Sequence, residues 1–314
     1  LNYYNFERYR INGFIDAGNI GLAMLFFGIL SIFVISPILT YKYGKRWYCS
    51  WVCGCGALAE TAGDPFRHLS DKRQIAWKIE RWVIHSVLVF AVLMTAAAIY
   101  SFFHNNPEGY WLTKTHFVII ISALSLMVMA LTFHPKGVFN KISKKNKLAV
   151  YIVGGLVIML SVLAMITDNA NILFVDTYTV RWTYGLLIGS IFSGVIGTGF
   201  YPIFGNRVWC RFGCPLSAYI GLVQRFKSKF RITTNGGQCI SFGNCSTYCE
   251  QGIDVRAYAQ KGEDIVRSSC VGCGVCSAVC PRGVLKLENS NAPQKINDNP
   301  LIFENNIVKI NPDV

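Results

Sequence analysis

"CVGCGVCSAVCP", Cys270–Pro281, sets four cysteines at C-x2-C-x2-C-x3-C and closes with proline. Two-residue gaps bend a loop so that three thiolates reach three irons of one cube, while the fourth, expected to begin a helix, points to a second. Soft thiolate suits iron–sulfur chemistry. The glycines let the backbone turn its N–H groups toward the sulfurs. A structural zinc site is the plainer reading, and a run of four ending in Cys-Pro disfavours it.

Just upstream lies a weaker copy, "CISFGNCSTYCE", with Cys239, Cys245 and Cys249. Phe242 stands where the second cysteine belongs, and Glu250 where the proline belongs. The two halves together resemble the dicluster bacterial ferredoxins. That resemblance implies a cross-over of ligands: Cys249, Cys270, Cys273 and Cys276 hold one 4Fe-4S cluster. Cys239, Cys245 and Cys280 are left for a second, incomplete at Phe242. Three thiolates suit a three-iron cluster, a four-iron cluster with a non-cysteine ligand, or a vestigial site. "GIDVRAYAQKGEDIVRSS", between the halves, has the length of a helix–strand connection, and "GVLKLE" after them alternates like a short strand.

Upstream of this tail the chain is apolar. Of 314 residues, 52% are hydrophobic and only 15% charged, with a mean hydropathy of +0.36. Such a composition excludes an ordinary soluble protein of this length. Five runs are long enough to cross a hydrocarbon core: Gly18–Thr40, Trp82–Phe103, His116–Phe133, Leu148–Ile166 and Tyr184–Phe204. Charge orients them. Residues 42–81 carry eight Lys/Arg against four acids, 135–147 five lysines and no acid, and 205–235 six basic residues and no acid. The loops 105–115 and 167–183 hold one basic residue each. Basic loops stay in the cytoplasm, so the pattern predicts the N-terminus outside and the C-terminus inside. No cleavable signal is evident, and Leu1 is not a start methionine, so residues could precede it. The net charge of +13 is thus accounted for by membrane topology and needs no nucleic acid; a basic rim also suits an acidic soluble electron carrier. All twelve cysteines fall in the segments expected inside, where disulfides are disfavoured and metal or redox roles favoured.

Three more cysteines sit in "YGKRWYCSWVCGCG", Tyr43–Gly56, where the first apolar run ends. "FGNRVWCRFGCPLSA", Phe204–Ala218, repeats the pattern aromatic-Gly-x-Arg-x-aromatic-Cys-x-x-x-Cys after the fifth. Arg46, Arg207 and the neighbouring aromatics suit a headgroup interface. Cys49/Cys53 and Cys210/Cys214 have i, i+4 spacing, which would put each pair on one helical face. If the two motifs pack together, four thiols converge, enough for a third cluster or for a soft metal such as Cu(I); buried small hydrophobes are the plainer reading. Cys55 has no counterpart and is treated as a spare.

Histidines bracket two spans: His85 and His104 the second, His116 and His134 the third. All four sit at span ends, which disfavours haem. A quinone is the better partner, because a quinol must give up protons to a titratable group. "HNNPEGYWLTKTH" marks the site, with His104, Glu108 and His116.

Membrane-face C-x3-C(-P) motifs, several spans and a ferredoxin tail together resemble the NapH/NosR-type membrane polyferredoxins, related to the CcoG/RdxA proteins. The resemblance covers residues from about 30 to 288. It implies electron transfer between the quinone pool and a partner redox complex; CcoG-type members suggest copper reduction instead, and a labile cluster would suit a redox sensor. Three departures stand out: Cys53-Gly54 replaces Cys-Pro, Phe242 replaces a cysteine, and neither a NosR-type flavin domain nor a CcoG-type extension is evident. The expected fold is an all-α polytopic membrane domain of about five helices plus a C-terminal α+β dicluster ferredoxin-like domain. Its parts are an outer segment 1–17, a transmembrane domain 18–235, the ferredoxin-like domain 236–288 and an extended tail 289–314. The expected location is the bacterial inner membrane, among lipid and the other subunits of a redox complex.

Overall fold

The computed structural model describes residues 19–105, 113–133, 144–167, 176–228, 230–235, 238–289, 302–304 and 307–309. Residues 1–17, Glu108, His134 and most of the tail lie outside the described residues. Five helices are long and apolar enough to cross a membrane: Phe26–Tyr43, Gln74–Asn105, Lys114–Thr132, Lys147–Thr167 and Thr177–Gly199. In hydrocarbon every backbone group must be satisfied within the segment, which helices alone achieve strand by strand. Large apolar side chains such as Phe33, Leu126, Ile152 and Trp182 lie exposed on them, as a lipid-facing surface requires.

The span bounds differ from the expected ones, the second beginning at Gln74 and the fifth at Thr177; two of the C-terminal ends differ for a local reason. The first helix runs three residues past Thr40 and stops at Gly44, whose φ of 68° breaks the α geometry. The fifth ends at Gly199 instead of Phe204. Pro202 cannot donate to the carbonyl of Thr198, so the helix breaks and restarts as Tyr201–Phe204.

The chain divides into two compact units, Leu1–Ile29 with Val89–Gly189, and Leu30–Leu88 with Ser190–Val314. In the first, Lys114–Phe133 packs on Lys144–Thr167. Ser125 donates to the carbonyl of Gly154 at 3.3 Å, and Thr132 to the Tyr151 hydroxyl at 2.8 Å. Tyr100, Val118 and Ala164 form a buried cluster, held by the Tyr100 hydroxyl on the Ala164 carbonyl at 3.0 Å. Beside it is a cavity of about 320 Å³, walled largely by apolar side chains.

The second unit holds both cysteine motifs and the tail. Strand β1, Phe230–Thr234, pairs antiparallel with β2, Leu285–Asn289, in a register that sets Ile232 opposite Leu287. The ferredoxin-like part therefore draws in residues ahead of 236. Ile265 adds a bridge to Ile232, and a helix, Val255–Lys261, links the halves. Its core is Ile232, Ile253, Val255, Ala259, Ile265 and Leu285, with cysteines packed around it. A hairpin of β3, Ile302–Glu304, and β4, Ile307–Lys309, follows.

Candidate metal centres

Each half of the tail is built alike. A left-handed glycine, Gly243 or Gly274, precedes a one-turn helix, Asn244–Thr247 or Val275–Ala278. These turns carry Cys245 and Cys276 at equivalent places. Cys280 falls just after the second turn, so it does not begin a helix as its spacing suggested; Pro281 follows in a turn instead.

Two small cavities result. One is walled by Cys249, Cys270, Cys273 and Cys276 with Ile232, Ile253 and Val271. The other is walled by Cys239, Cys245 and Cys280 with Arg256 and Arg282. Burial pushes the Cys249 thiol up to about 12, Cys270 to about 11 and Cys273 to about 12. Backbone amides of Ile253, Gly272 and Val275 oppose this by pointing at the sulfurs; the Ile253 amide lies 3.4 Å from the Cys249 Sγ. Buried soft thiols ringed by amide donors fit a 4Fe-4S cluster, which replaces their protons on binding. Phe242 itself forms part of the wall of this second cavity, where it is 68% exposed and offers no ligand.

The two membrane-face motifs are structural copies. Gly44 and Gly205 take φ of 68° and 82°. A helical turn then carries the first cysteine, Cys49 in Arg46–Cys49 and Cys210 in Trp209–Gly213. The second cysteine is extended and caps the next helix: Cys53 (φ −77°, ψ 122°) before Gly54–Glu60, Cys214 (φ −89°, ψ 108°) before Pro215–Lys227. The i, i+4 pairs therefore do not share one helical face, because the helix ends between them. Capping aims the thiols at free amides instead, as the Ser217 amide shows at 3.4 Å from Cys214 Sγ. Gly54 and Pro215 share the first helical position, so the Cys-Gly departure leaves the corner unchanged. Gly56 admits no side chain, since a Cβ there would lie 1.8 Å from the Cys49 carbonyl oxygen.

These thiols act on one another. Burial pushes Cys49 up to about 12, and Cys210 and Cys53 add to it. Cys214 is raised by burial and by Cys210, Cys49 and Cys53. Cys53 is lowered to about 6, chiefly by an S–H donated from Cys55, against burial and with help from the amides of Gly56 and Cys55. Cys55, the supposed spare, is thus the hydrogen-bond partner of a ligand candidate, and its own sulfur lies 4.0 Å from the Ser193 hydroxyl.

The arginine shared by the two copies of the repeat is not a headgroup residue in the second. Arg207 is 1% exposed. It donates to the Cys49 carbonyl at 2.8 Å and to Glu60 at 2.7 Å, and pairs with Glu250 at 3.2 Å. Burial alone would lower its pKa, and Glu250, Cys210 and Glu60 more than reverse that. Glu250, in the ferredoxin proline's place, also meets Arg67 at 3.2 Å and raises Cys273. Lys45, 2% exposed, lowers Cys49, Cys210 and Cys270 alike. Neither bridging role was legible in the motifs; the buried glutamate at the proline position was the available signal.

The histidines are elsewhere. His104 stacks beside Tyr100, ring centroids 6.2 Å apart, and its Nδ1 is 3.5 Å from Lys114 Nζ. His116 Nδ1 shares a 2.6 Å hydrogen bond with Thr113. Among the described residues, no three His, Cys, Asp or Glu side chains close tightly enough to hold a single metal ion.

A 4Fe-4S binding domain matches this chain twice, over residues 25–73 and 185–233, so each match contains one membrane-face motif. A second 4Fe-4S binding domain matches residues 263–286. YccM of Escherichia coli (strain K12), named as a candidate electron transport protein, is 24% identical over 257 residues, covering 81% of this chain. The chain spans about half (52%) of that relative's length. No solved structure matches the chain. The chain therefore carries 4Fe-4S binding domains of the ferredoxin type together with five helices long and apolar enough to cross a membrane.

Proposed function

We propose that this protein is an integral-membrane electron relay of the NapH/NosR kind, passing single electrons between quinol or a soluble donor and a partner redox complex at the cytoplasmic face. The observation that carries it is the Lys45 ammonium, whose charge reaches Cys49 and Cys210 on one side and Cys270 on the other. The same ammonium lies 3.4 Å from the carbonyl of Ser268, two residues ahead of Cys270, while Lys45 stands four residues ahead of Cys49. Cys276 is in turn raised by Cys245, which extends the series to Cys239, Cys245 and Cys280. In this reading Cys49, Cys53, Cys210 and Cys214 hold one cluster, Cys249, Cys270, Cys273 and Cys276 a second, and Cys239, Cys245 and Cys280 a third with an open corner. The clusters supply one-electron chemistry when bound; the protein supplies ligands, spacing and buried countercharge. Thiols spread too widely for one ion suit a cube, where each caps a different iron.

In this reading quinone would occupy the 320 Å³ cavity lined by Tyr100 and Phe117, with His104 against Tyr100; neither His104 nor His116 lines the cavity itself. Iron analysis with EPR on anaerobically purified protein tests the scheme. About eleven to twelve irons per chain are expected, falling by about four in Cys49→Ser/Cys210→Ser. Iron that stays at the two-cluster level in both forms would remove the membrane-face centre.

One observation favours a second reading, a copper-reducing assembly factor. Cys53 and Cys55 stand two residues apart, with Cys53 lowered to about 6, chiefly by Cys55, and two thiolates suit Cu(I). Stoichiometric copper lost in Cys53→Ser, with eight irons retained, would support it.

A further inference from the structure

The second unit contains a polar cavity of about 210 Å³, lined in part by Cys210. It is formed where the first helix ends, the second begins and the loop before β2 crosses them. Its wall carries Lys45, Arg81, Arg211, Arg225 and Arg267, together with the hydroxyls of Ser217, Ser268 and Ser269. Its one acid, Glu80, is taken: it accepts from Arg211 at 2.9 Å.

Lys45, Arg81 and Arg267 are undercompensated. Lys45 is almost fully buried, yet its ammonium reaches only the Ser268 carbonyl, at a long 3.4 Å. Among the described residues no carboxylate lies within ion-pair distance of Lys45, Arg81 or Arg267. Arg81 and Arg267 both stand over the Trp77 ring, at 5.3 and 4.8 Å from its centroid. Two guanidiniums held on one indole repel each other. Such an arrangement becomes favourable when an anion sits between them, and guanidinium forks match phosphate oxygens two at a time.

We propose that this cavity binds a phosphate group, Arg81 and Arg267 gripping its oxygens with the serine hydroxyls beneath. The phosphate could be carried by an acidic lipid headgroup or arrive as a free anion; the chemistry of recognition is the same. Basic pockets at the cytoplasmic ends of transmembrane helices take acidic headgroups, and this one is built at two helix ends. A lipid there would tie the ferredoxin-like loop to the leaflet at a cavity that Cys210 also lines.

The test uses the full chain in neutral detergent, offered phosphatidylglycerol, phosphatidylcholine or inorganic phosphate, with binding read by native mass spectrometry. One phosphatidylglycerol per chain is expected to bind in preference to phosphatidylcholine. Binding should weaken about thirtyfold in Arg81→Gln/Arg267→Gln and about fivefold in each single variant. Lys78→Gln, on the same helix but outside the cavity, should bind like the parent. Saturable inorganic phosphate binding with the same arginine dependence, and binding of neither lipid, supports the site with a free anion as its source. Binding of neither lipid nor phosphate, equal binding of both lipids, or binding indifferent to Arg81 and Arg267 overturns it. The single variants carry the test if the double one does not fold.

Discussion

Arg207→Met should be the most destabilising single substitution outside the cysteines. The guanidinium is fully enclosed and joins three segments far apart in sequence: the Cys49 carbonyl, Glu60, and Glu250 beside the first ferredoxin half. At 3.2 Å and an effective dielectric of about 20, the Arg207–Glu250 attraction is about 5 kcal/mol before desolvation is set against it. The net effect of truncation comes mostly from what is left behind. Glu250 is 1% exposed, and its second oxygen, Oε1, already has no hydrogen-bond partner. Without Arg207 it keeps only Arg67 and the Asn206 amide. Removing one member of a buried pair costs about 3–5 kcal/mol, which should lower the thermal midpoint by about 10 °C. Tryptophan fluorescence on heating the detergent-solubilised protein reads this. Glu250→Gln should cost less, because Arg207 retains Glu60. The double variant Arg207→Met/Glu250→Gln should lose less than the sum of the two, since no orphaned charge remains. A midpoint within about 2 °C of the parent for Arg207→Met, or strict additivity in the cycle, would refute the reasoning.

Four further outcomes follow from the motif geometry. Gly54→Pro should be neutral or stabilise by about 0.4–1 kcal/mol, because Pro215 already fills the equivalent position and a Cβ at Gly54 meets nothing within 4 Å; a fall in thermal midpoint would argue against the equivalence. Gly56→Ala, by contrast, should strip iron from the membrane-face site, as its Cβ collides with the Cys49 carbonyl. Cys55→Ala removes the S–H that holds Cys53 at about 6, so the Cys53 pKa should rise toward the ordinary thiol range. Iodoacetamide alkylation of Cys53 in the iron-free protein at pH 7 should then slow, and an unchanged rate would show that the S–H bond is not the cause. Phe242→Cys should add about one iron and abolish a three-iron EPR signal, because Phe242 lines the same cavity as Cys239, Cys245 and Cys280, so a thiol there would face the open corner.

What the sequence disclosed was what local chemistry alone dictates. The five spans followed from apolar length, and the ferredoxin halves and membrane-face copies from spacing. Their left-handed glycines, Gly44 with Gly205 and Gly243 with Gly274, fall at matching positions because the same turn recurs. What stayed hidden depends on partners distant in sequence. The i, i+4 rule assumed an unbroken helix through Cys49–Cys53, and only the cap geometry at Cys53 shows that the helix ends there. Arg46 and Arg207 are equivalent in the repeat, yet one is half-buried and the other enclosed. The difference arises because the ferredoxin half supplies Glu250 on the Arg207 side alone. A proline at position 250 would have left Arg207 with Glu60 only and too little compensation for a charge so deeply buried. Glu250 therefore reads as the residue that exchanges a ferredoxin turn for a joint between the tail and the membrane-face motif. The same exchange accounts for Arg207 being drawn from the lipid interface into the space between two sets of thiols.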